Sequence, residues 1–189
     1  MPFTFEDTDI ADVKLIVPKE FKDDRGSFWE CFKQSDFVAA GIDVDFVQDN
    51  CSLSQKGVLR GLHFQVAPKG QGKLVRVLTG AIFDVAVDIR PGSKTYGQWV
   101  GEVLTAENKK MLWVPEGFAH GFLALEDNTM MHYKVSGSEY APDCECSILW
   151  NDSDIGIAWP LEDVLIAQKD KAGISLKDYE LSLVSDEAG

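Results

Sequence analysis

The segment "GKLVRVLTGAIFDVAVDIRPGSKTYGQWVGEVL", residues 72–104, holds three apolar runs separated by turn-forming residues. The breaks fall at Thr79-Gly80 and at "RPGSKTYG" (90–97), and Gly80 stands where a hairpin needs a positive φ. The middle run, "FDVAVDIR" (83–90), alternates strictly between two sides. The two sides are Phe83, Val85, Val87 and Ile89, and Asp84, Ala86, Asp88 and Arg90. This period of two predicts a half-buried strand.

Further strand signals surround this segment. "DVKLIVPKEF" (12–21) predicts an extended segment that ends at Pro18, and "KKMLWVPEGFAHGFLAL" (109–125) predicts two short strands broken at "PEG". Strands at roughly 10-residue spacing are typical of an antiparallel sandwich or barrel.

Helical signals are few. "SDFVAAGI" (35–42) predicts one short helix with Ser35 as its N-cap and Gly41 as its end, and the tail after Trp159 predicts one or two short turns. No internal repeat or long linker interrupts the chain. We therefore expect one all-β domain over residues 1–189, with a few short peripheral helices.

Charge and composition narrow the function. The 189 residues carry a formal net charge of −13, which argues against nucleic acid and anionic membranes as partners. No apolar run reaches the roughly 18 residues of a membrane span, and the N-terminus has acids where a secretory signal has bases. The four cysteines, at 31, 51, 144 and 146, lack paired C-x-x-C spacing. We expect a cytoplasmic protein with reduced thiols.

Polar residues that interrupt predicted strands mark the candidate chemistry. They lie in "VLRGLHFQ" (58–65), "GKLVRV" (72–77) and "FVQDNCSLS" (46–54). A charged side chain in an apolar sheet is either paired or functional. "VPEGFAHGF" (114–122) has the P-x-G-x-x-H spacing of a cupin metal motif. The partner motif needs an H-x-H pair followed by a glutamate, but here His63 is followed by Gln65 and no glutamate stands nearby. Two histidines do not make a stable transition-metal site, so we predict no metal and no cofactor.

Acid–base catalysis is the better use of His63. Histidine titrates near neutral pH, a nearby cation can stabilise an enolate oxygen, and arginine suits a phosphate. Structural roles stay open from the residues alone: His63 as a hydrogen-bonded core histidine, Lys73 as a strand-end lysine, and Tyr133 as a sandwich-edge tyrosine.

Several segments together resemble the dTDP-4-dehydrorhamnose 3,5-epimerase family. They run in family order over nearly the whole chain: "DDRGSFWE" (23–30), "FVQDNCSLS" (46–54), "GVLRGLHFQ" (57–65), "QGKLVRVLTGAIFDVAVDIR" (71–90), "YGQWV" (96–100), "WVPEGFAHGF" (113–122), "SILWNDSDIGIAWP" (147–160) and "QKD" (168–170). The resemblance implies a cupin-type jelly-roll β-sandwich that needs no metal, forms a homodimer, and epimerises C3 and C5 of a dTDP-4-keto-6-deoxy sugar.

The resemblance also implies residue roles. His63 matches the base, Asp170 the carboxylate that orients it, Tyr133 the acid on the opposite face, and Lys73 the cation beside the C4 oxygen. The matching substrate-binding residues are Arg25, Glu30, Gln48, Asp49, Asn50, Arg60, His120, Tyr140, Glu145 and Lys169. In the family, contacts of the kind made by Arg25 and Glu30 come partly across the dimer. The loop 134–147 departs from the family with its C-x-C and its extra length.

Two alternatives remain. An enzyme that inverts a single carbon could keep the whole set of catalytic residues, whereas a non-catalytic sugar-binding jelly roll would need no base, carboxylate and opposed phenol together. One geometric question also stands. Regular alternation would place Arg60 and His63 on opposite faces of a strand, and Gly61 between them permits a bulge that would bring both to one pocket.

Overall fold

A computed structural model describes residues 2–187. Fourteen strands are present in the part it describes: β1 (Phe3–Asp7), β2 (Lys14–Pro18), β3 (Phe21–Asp23), β4 (Gly26–Phe28), β5 (Phe46–Ser54), β6 (Val58–Gln65), β7 (Gln71–Thr79), β8 (Ala81–Asp88), β9 (Trp99–Thr105), β10 (Met111–Val114), β11 (Phe118–Ala124), β12 (Thr129–Gly137), β13 (Glu145–Ser147) and β14 (Leu165–Ile166). The helices are α1 (Gln34–Ala39), α2 (Gln168–Lys171) and α3 (Leu176–Glu187), with a 3-10 turn at Pro142–Cys144. In this range, no helix is both long and apolar enough to span a bilayer.

Two sheets carry the fold. The first has the order β1-β2-β10-β7-β12-β5 and the second the order β13-β6-β11-β8-β9. Every pairing along these two orders is antiparallel, and the short β14 adds a parallel pairing to β6. The all-β jelly-roll prediction is confirmed, and the three strands expected within 72–104 are β7, β8 and β9.

Gly80 has the expected positive φ of 76° but does not form a hairpin. The strands on either side of it belong to different sheets, because β7 pairs with β10 and β12 whereas β8 pairs with β9 and β11. The predicted hairpin is therefore a corner at which the chain crosses from one sheet to the other. A Cβ at Gly80 would lie 3.0 Å from the Cα of Thr129, so the corner has no room for a side chain.

The half-buried strand expected at 83–90 is wrong, because β8 is covered on both faces. Phe83 is its most open residue, and it is only half-buried; Asp84 and Asp88 have no exposure at all. The side that carries Val85 and Val87 packs against the C-terminal part of the chain, including Ile155 and Tyr179. The other side, which carries Asp84, Ala86 and Asp88, therefore faces the interior of the sandwich, where Ala86 joins the main core.

The helices differ from expectation in two details. The N-cap of α1 is Lys33, without a side-chain cap, so Ser35 lies inside the helix and the predicted cap is wrong. Gly41, at φ 88°, follows the helix as expected. The tail holds more helix than one or two short turns, because α3 runs for 12 residues and packs Leu176 and Tyr179 over the second sheet.

Candidate active site

A β-bulge at Gly61 brings Arg60 and His63 to one cavity. His63 lies opposite His120 on β11, and Arg60 lies opposite Phe122. Between these two pairs, β6 advances by three residues and β11 by only two, so β6 carries one extra residue. Gly61 has a φ of 134°, and a Cβ there would stand 2.5 Å from the Cα of Gly121. The bulge needs glycine for both reasons. The predicted departure from a regular strand is present.

The cavity, of about 670 Å³, opens between the inner faces of the two sheets. It is large enough for a substantial part of a nucleotide sugar. The sequence-predicted residues that line it are Arg60, His63, Lys73, His120, Tyr133, Tyr140, Glu145, Lys169 and Asp170. All four predicted catalytic residues are therefore brought together, from three strands and one short helix.

His63 and Asp170 form a hydrogen-bonded pair across 107 residues of sequence. The Nε2 atom of His63 lies 2.8 Å from Oδ1 of the buried Asp170, and the amide of Gly61 donates to Oδ2 at 3.3 Å. With a proton on Nε2 held by the carboxylate, the lone pair of a neutral ring stays on Nδ1. Burial lowers the pKa of His63, against the opposing effect of Asp170, so the ring is suited to accept a proton near neutral pH.

Lys73 supplies a cation to the same space from β7 of the first sheet. Its Nζ donates to the carbonyl oxygen of His63 at 3.4 Å. Burial lowers the pKa of Lys73 to about 8, and the negative charges of Asp84 and Glu145 act in the opposite direction. The ammonium can stabilise negative charge that develops on a ketone oxygen.

Tyr133 faces His63 from the other wall of the cavity. It lies on β12 of the first sheet, beside Asn50 on β5 and Val75 on β7, whereas His63 lies on the second sheet. Burial raises the pKa of Tyr133, and a hydrogen bond with Asn50 acts against that rise. The phenol is therefore protonated at neutral pH and stands opposite the imidazole.

His120 has a carboxylate partner of its own. Its Nε2 lies 2.8 Å from Oδ1 of Asp84, which is completely buried on the neighbouring strand β8. Asp84 was expected on the polar side of its strand, without a role in the site. The signal available for it was a carboxylate inside an apolar strand, between Phe83 and Val85.

Four of the predicted substrate-binding residues line an adjoining recess. Gln48, Asn50, Tyr140 and Glu145 line it together with His63, Lys73 and Tyr133. The Tyr140 hydroxyl donates to Glu145 at 2.9 Å, and the Tyr140 amide donates to Oε1 of Gln48 at 2.9 Å. Lys169 reaches Glu145 at 3.4 Å, which ties the start of β13 to α2.

Three predicted residues lie elsewhere in this chain. Asp49 points to the outer face of β5, where it pairs with Lys134 at 2.9 Å, because alternate residues of a strand face opposite ways. Arg25 lies in the exposed β3–β4 hairpin and pairs with Asp23, and the half-buried Glu30 follows that hairpin. Asp49 therefore does not line the cavity of its own chain.

Other residues of the site were not predicted. Ser54 does not line the cavity itself, but its buried hydroxyl accepts a hydrogen bond from Nε of Arg60 at 3.3 Å and so fixes the direction of the guanidinium. The segment 164–167 adds an apolar wall, and Lys171 adds a cation. All four cysteines are unpaired, as expected, and none lines the cavity. In residues 2–187, no three His, Cys, Asp or Glu side chains converge as metal ligands.

Comparison with known proteins identifies relatives over nearly the whole chain. The family model for dTDP-4-dehydrorhamnose 3,5-epimerase matches residues 7–178. The dTDP-4-dehydrorhamnose 3,5-epimerase of Shigella flexneri is 52% identical over 92% of this chain and 96% of its own.

Solved structures agree. The dTDP-6-deoxy-D-glucose-3,5-epimerase of Legionella pneumophila, in complex with dTDP-4-keto-L-rhamnose, is 48% identical with a TM-score of 0.91 over 96% of each chain. A 3'-monoepimerase from Streptomyces bikiniensis, in complex with dTDP-quinovose, is 34% identical with a TM-score of 0.88 over 94% of this chain and 91% of its own. The resemblance found in the sequence motifs is confirmed: the chain belongs to the dTDP-4-dehydrorhamnose 3,5-epimerase family.

Proposed function

We propose that the protein epimerises dTDP-4-keto-6-deoxy-D-glucose at C3 and C5, giving dTDP-4-keto-L-rhamnose for dTDP-L-rhamnose biosynthesis. The observation that carries this proposal is one cavity in which the His63–Asp170 pair faces Tyr133, with Lys73 beside them. A base, an opposed acid and a cation are the groups that inversion next to a ketone requires.

The reaction follows from this arrangement. The C4 ketone acidifies the protons on C3 and C5, and Nδ1 of His63 removes one of them. The electron pair moves onto the C4 oxygen as an enolate, which the Lys73 ammonium stabilises. Tyr133 then delivers its proton to the opposite face of the same carbon, and the carbon is inverted. Proton exchange with solvent restores neutral His63 and the Tyr133 phenol before the second carbon reacts.

Binding uses the surrounding polar groups. Arg60, held by Ser54, suits the diphosphate because a guanidinium binds phosphate oxygens in a bidentate manner. His120 lies on the wall beside His63 and suits the sugar. Tyr140 and Glu145, with Gln48, Asn50 and Lys169 around them, suit the nucleoside end.

We also propose a homodimer in the cytoplasm, with each chain acting as one jelly-roll domain. The β3–β4 hairpin supports the dimer, because Phe21 is 48% and Phe28 65% exposed on a short two-stranded element. Apolar side chains exposed to this degree suit burial by a second copy. Arg25 and Glu30, which stand outside the cavity of their own chain, would then contact the substrate of the partner.

One incubation tests the catalytic proposal. The protein is mixed with dTDP-4-keto-6-deoxy-D-glucose in D₂O with EDTA, and NMR follows deuterium and configuration at C3 and C5. We expect deuterium at both carbons and the L-configured product. Absence of exchange at both carbons would overturn the proposal.

The 3'-monoepimerase relative favours a second candidate, in which the protein inverts C3 alone. Such an enzyme could keep the same base, acid and cation. In the same experiment it would give deuterium and inversion at C3 and none at C5.

A further inference from the structure

Asp84 is a buried carboxylate that does not line the cavity itself but is hydrogen-bonded to His120, which does. It lies on the inner face of β8 with no exposed surface, and Oδ1 accepts a hydrogen bond from His120 at 2.8 Å. Its Oδ2 is buried as well and has no hydrogen-bond partner among residues 2–187. Buried carboxylates are expensive to leave unpaired, so the free oxygen points to a role for this charge in the site.

Several charged groups surround Asp84. His120 faces it from β11. Lys73 lines the same cavity as His120 from β7, and its Nζ donates to the carbonyl oxygen of His63, the residue opposite His120 in the strand pairing. The negative charge of Asp84 acts to raise the pKa of Lys73. Lys73 in turn interacts with Glu145 from β13 and with His63 from β6. Asp170, a buried carboxylate that lines the cavity, uses both of its oxygens on His63 and Gly61.

Building on the proposed epimerisation, we propose that Asp84 is a positioning residue with two partners. Its carboxylate holds Nε2 of His120, so that Nδ1 of that ring faces the sugar, and its negative charge keeps Lys73 protonated beside the ketone oxygen. Asp84 does not itself touch the reacting atoms in this account.

The physical need for such a charge is clear at Lys73. A buried ammonium tends to lose its proton, and an opposite charge nearby favours the charged form. Burial alone lowers the pKa of Lys73, and Asp84 provides the larger of the two opposing charges, since Glu145 contributes less. A neutral Lys73 could not stabilise the enolate, so loss of Asp84 should affect the reaction most at high pH.

The test is the pH dependence of kcat for Asp84→Asn. Lys73 acts as a cation, so activity is present below its pKa and is lost as the pH rises through it. Removal of the Asp84 charge should move this basic limb to lower pH by about 1 unit, the ordinary effect of one nearby charge. Asp84→Glu keeps the charge and should keep the limb in place.

Asp88→Asn is the matched control. Asp88 is equally buried on the same strand, but Arg90, Ser93 and Thr95 hold it outside the cavity, so this change should leave the limb where it is. An unmoved limb in Asp84→Asn, or equal movement in Asp88→Asn, would overturn the proposal.

A second measurement needs no variant that could misfold. NMR titration of the Lys73 Nζ in the wild-type protein should give a pKa near 8. Titration near about 6, the value of buried lysines without a partner, would contradict a role for Asp84. This readout requires no turnover, so it separates failure of the Asp84 proposal from failure of the proposed function.

Discussion

Two histidine–aspartate pairs lie side by side, with both histidines in the second sheet, and their surroundings differ. Each has an Nε2–Oδ1 distance of 2.8 Å, but the His63 side chain is 23% exposed and that of His120 only 7%. Asp170 reaches His63 from a helix near the end of the chain, whereas Asp84 lies on the strand next to His120. The same two side chains thus form an accessible base in one place and a buried support in the other.

The partners of each carboxylate explain the difference. Each oxygen of Asp170 has a partner, Oδ1 with His63 and Oδ2 with the Gly61 amide, so its charge acts mainly on the one imidazole that lines the cavity. Asp84 keeps one oxygen free near a buried lysine. The more exposed ring, His63, can accept a proton from a substrate. The carboxylate with an unpaired oxygen, Asp84, can act on a second group.

Replacement of His63 should have the largest effect. His63→Ala removes the proposed base, and we expect turnover to fall by roughly 10²–10⁴-fold or more, because that is the usual contribution of a positioned base. His120→Ala is the matched comparison and should lose less. Calorimetry with dTDP checks that nucleotide binding is retained. Equal losses in the two variants would erase the distinction between the pairs.

Asp170→Asn should have the next largest effect. The amide keeps the shape of the side chain but removes the charge that stabilises protonated His63, so kcat should fall by about 10²-fold with little change in dTDP affinity. The measurement is kcat and KM from steady-state turnover followed by NMR. A change confined to KM would assign Asp170 to binding.

The dependence of kcat on pH should be a smaller effect than either substitution, with activity falling at both low and high pH. His63 acts when neutral, and its pKa is lowered by burial, so activity should fall as the pH drops below the ordinary value of about 6.5. Lys73 acts when charged, so activity should fall as the pH rises through about 8. A flat profile up to pH values near the ordinary lysine pKa of about 10.4 would contradict the lowered pKa of Lys73.

The sequence predicted the strands better than their sides. Alternation identified β8 correctly, but it could not show that the C-terminal segment covers the face that carries Val85 and Val87. A pattern of period two reports that two faces differ, and which face is inner depends on contacts made far along the chain. Gly80 was correctly predicted as a turn, but β7 and β8 on either side of it belong to different sheets. That outcome also depends on contacts made far along the chain.

The site was predictable only in part. Glycine between Arg60 and His63 correctly predicted a bulge, because local backbone geometry is encoded locally. His63 and Asp170 are 107 residues apart, and no local spacing rule predicts that they pair. Their pairing was predicted only from the family motifs. Asp49 was grouped with its neighbours, although strand alternation turns it to the opposite face.

The central claim is that His63 and Tyr133 act on opposite faces of the same carbon. Tyr133→Phe tests it most directly, with deuterium at C3 and configuration followed together by NMR in D₂O. If the claim is correct, the variant still removes the C3 proton through His63. Deuterium is then added to the same face from which the proton was removed, so the substrate is labelled at C3 without inversion. Inversion at the wild-type rate would contradict the role of the phenol, and so would complete loss of exchange with folding and dTDP binding intact.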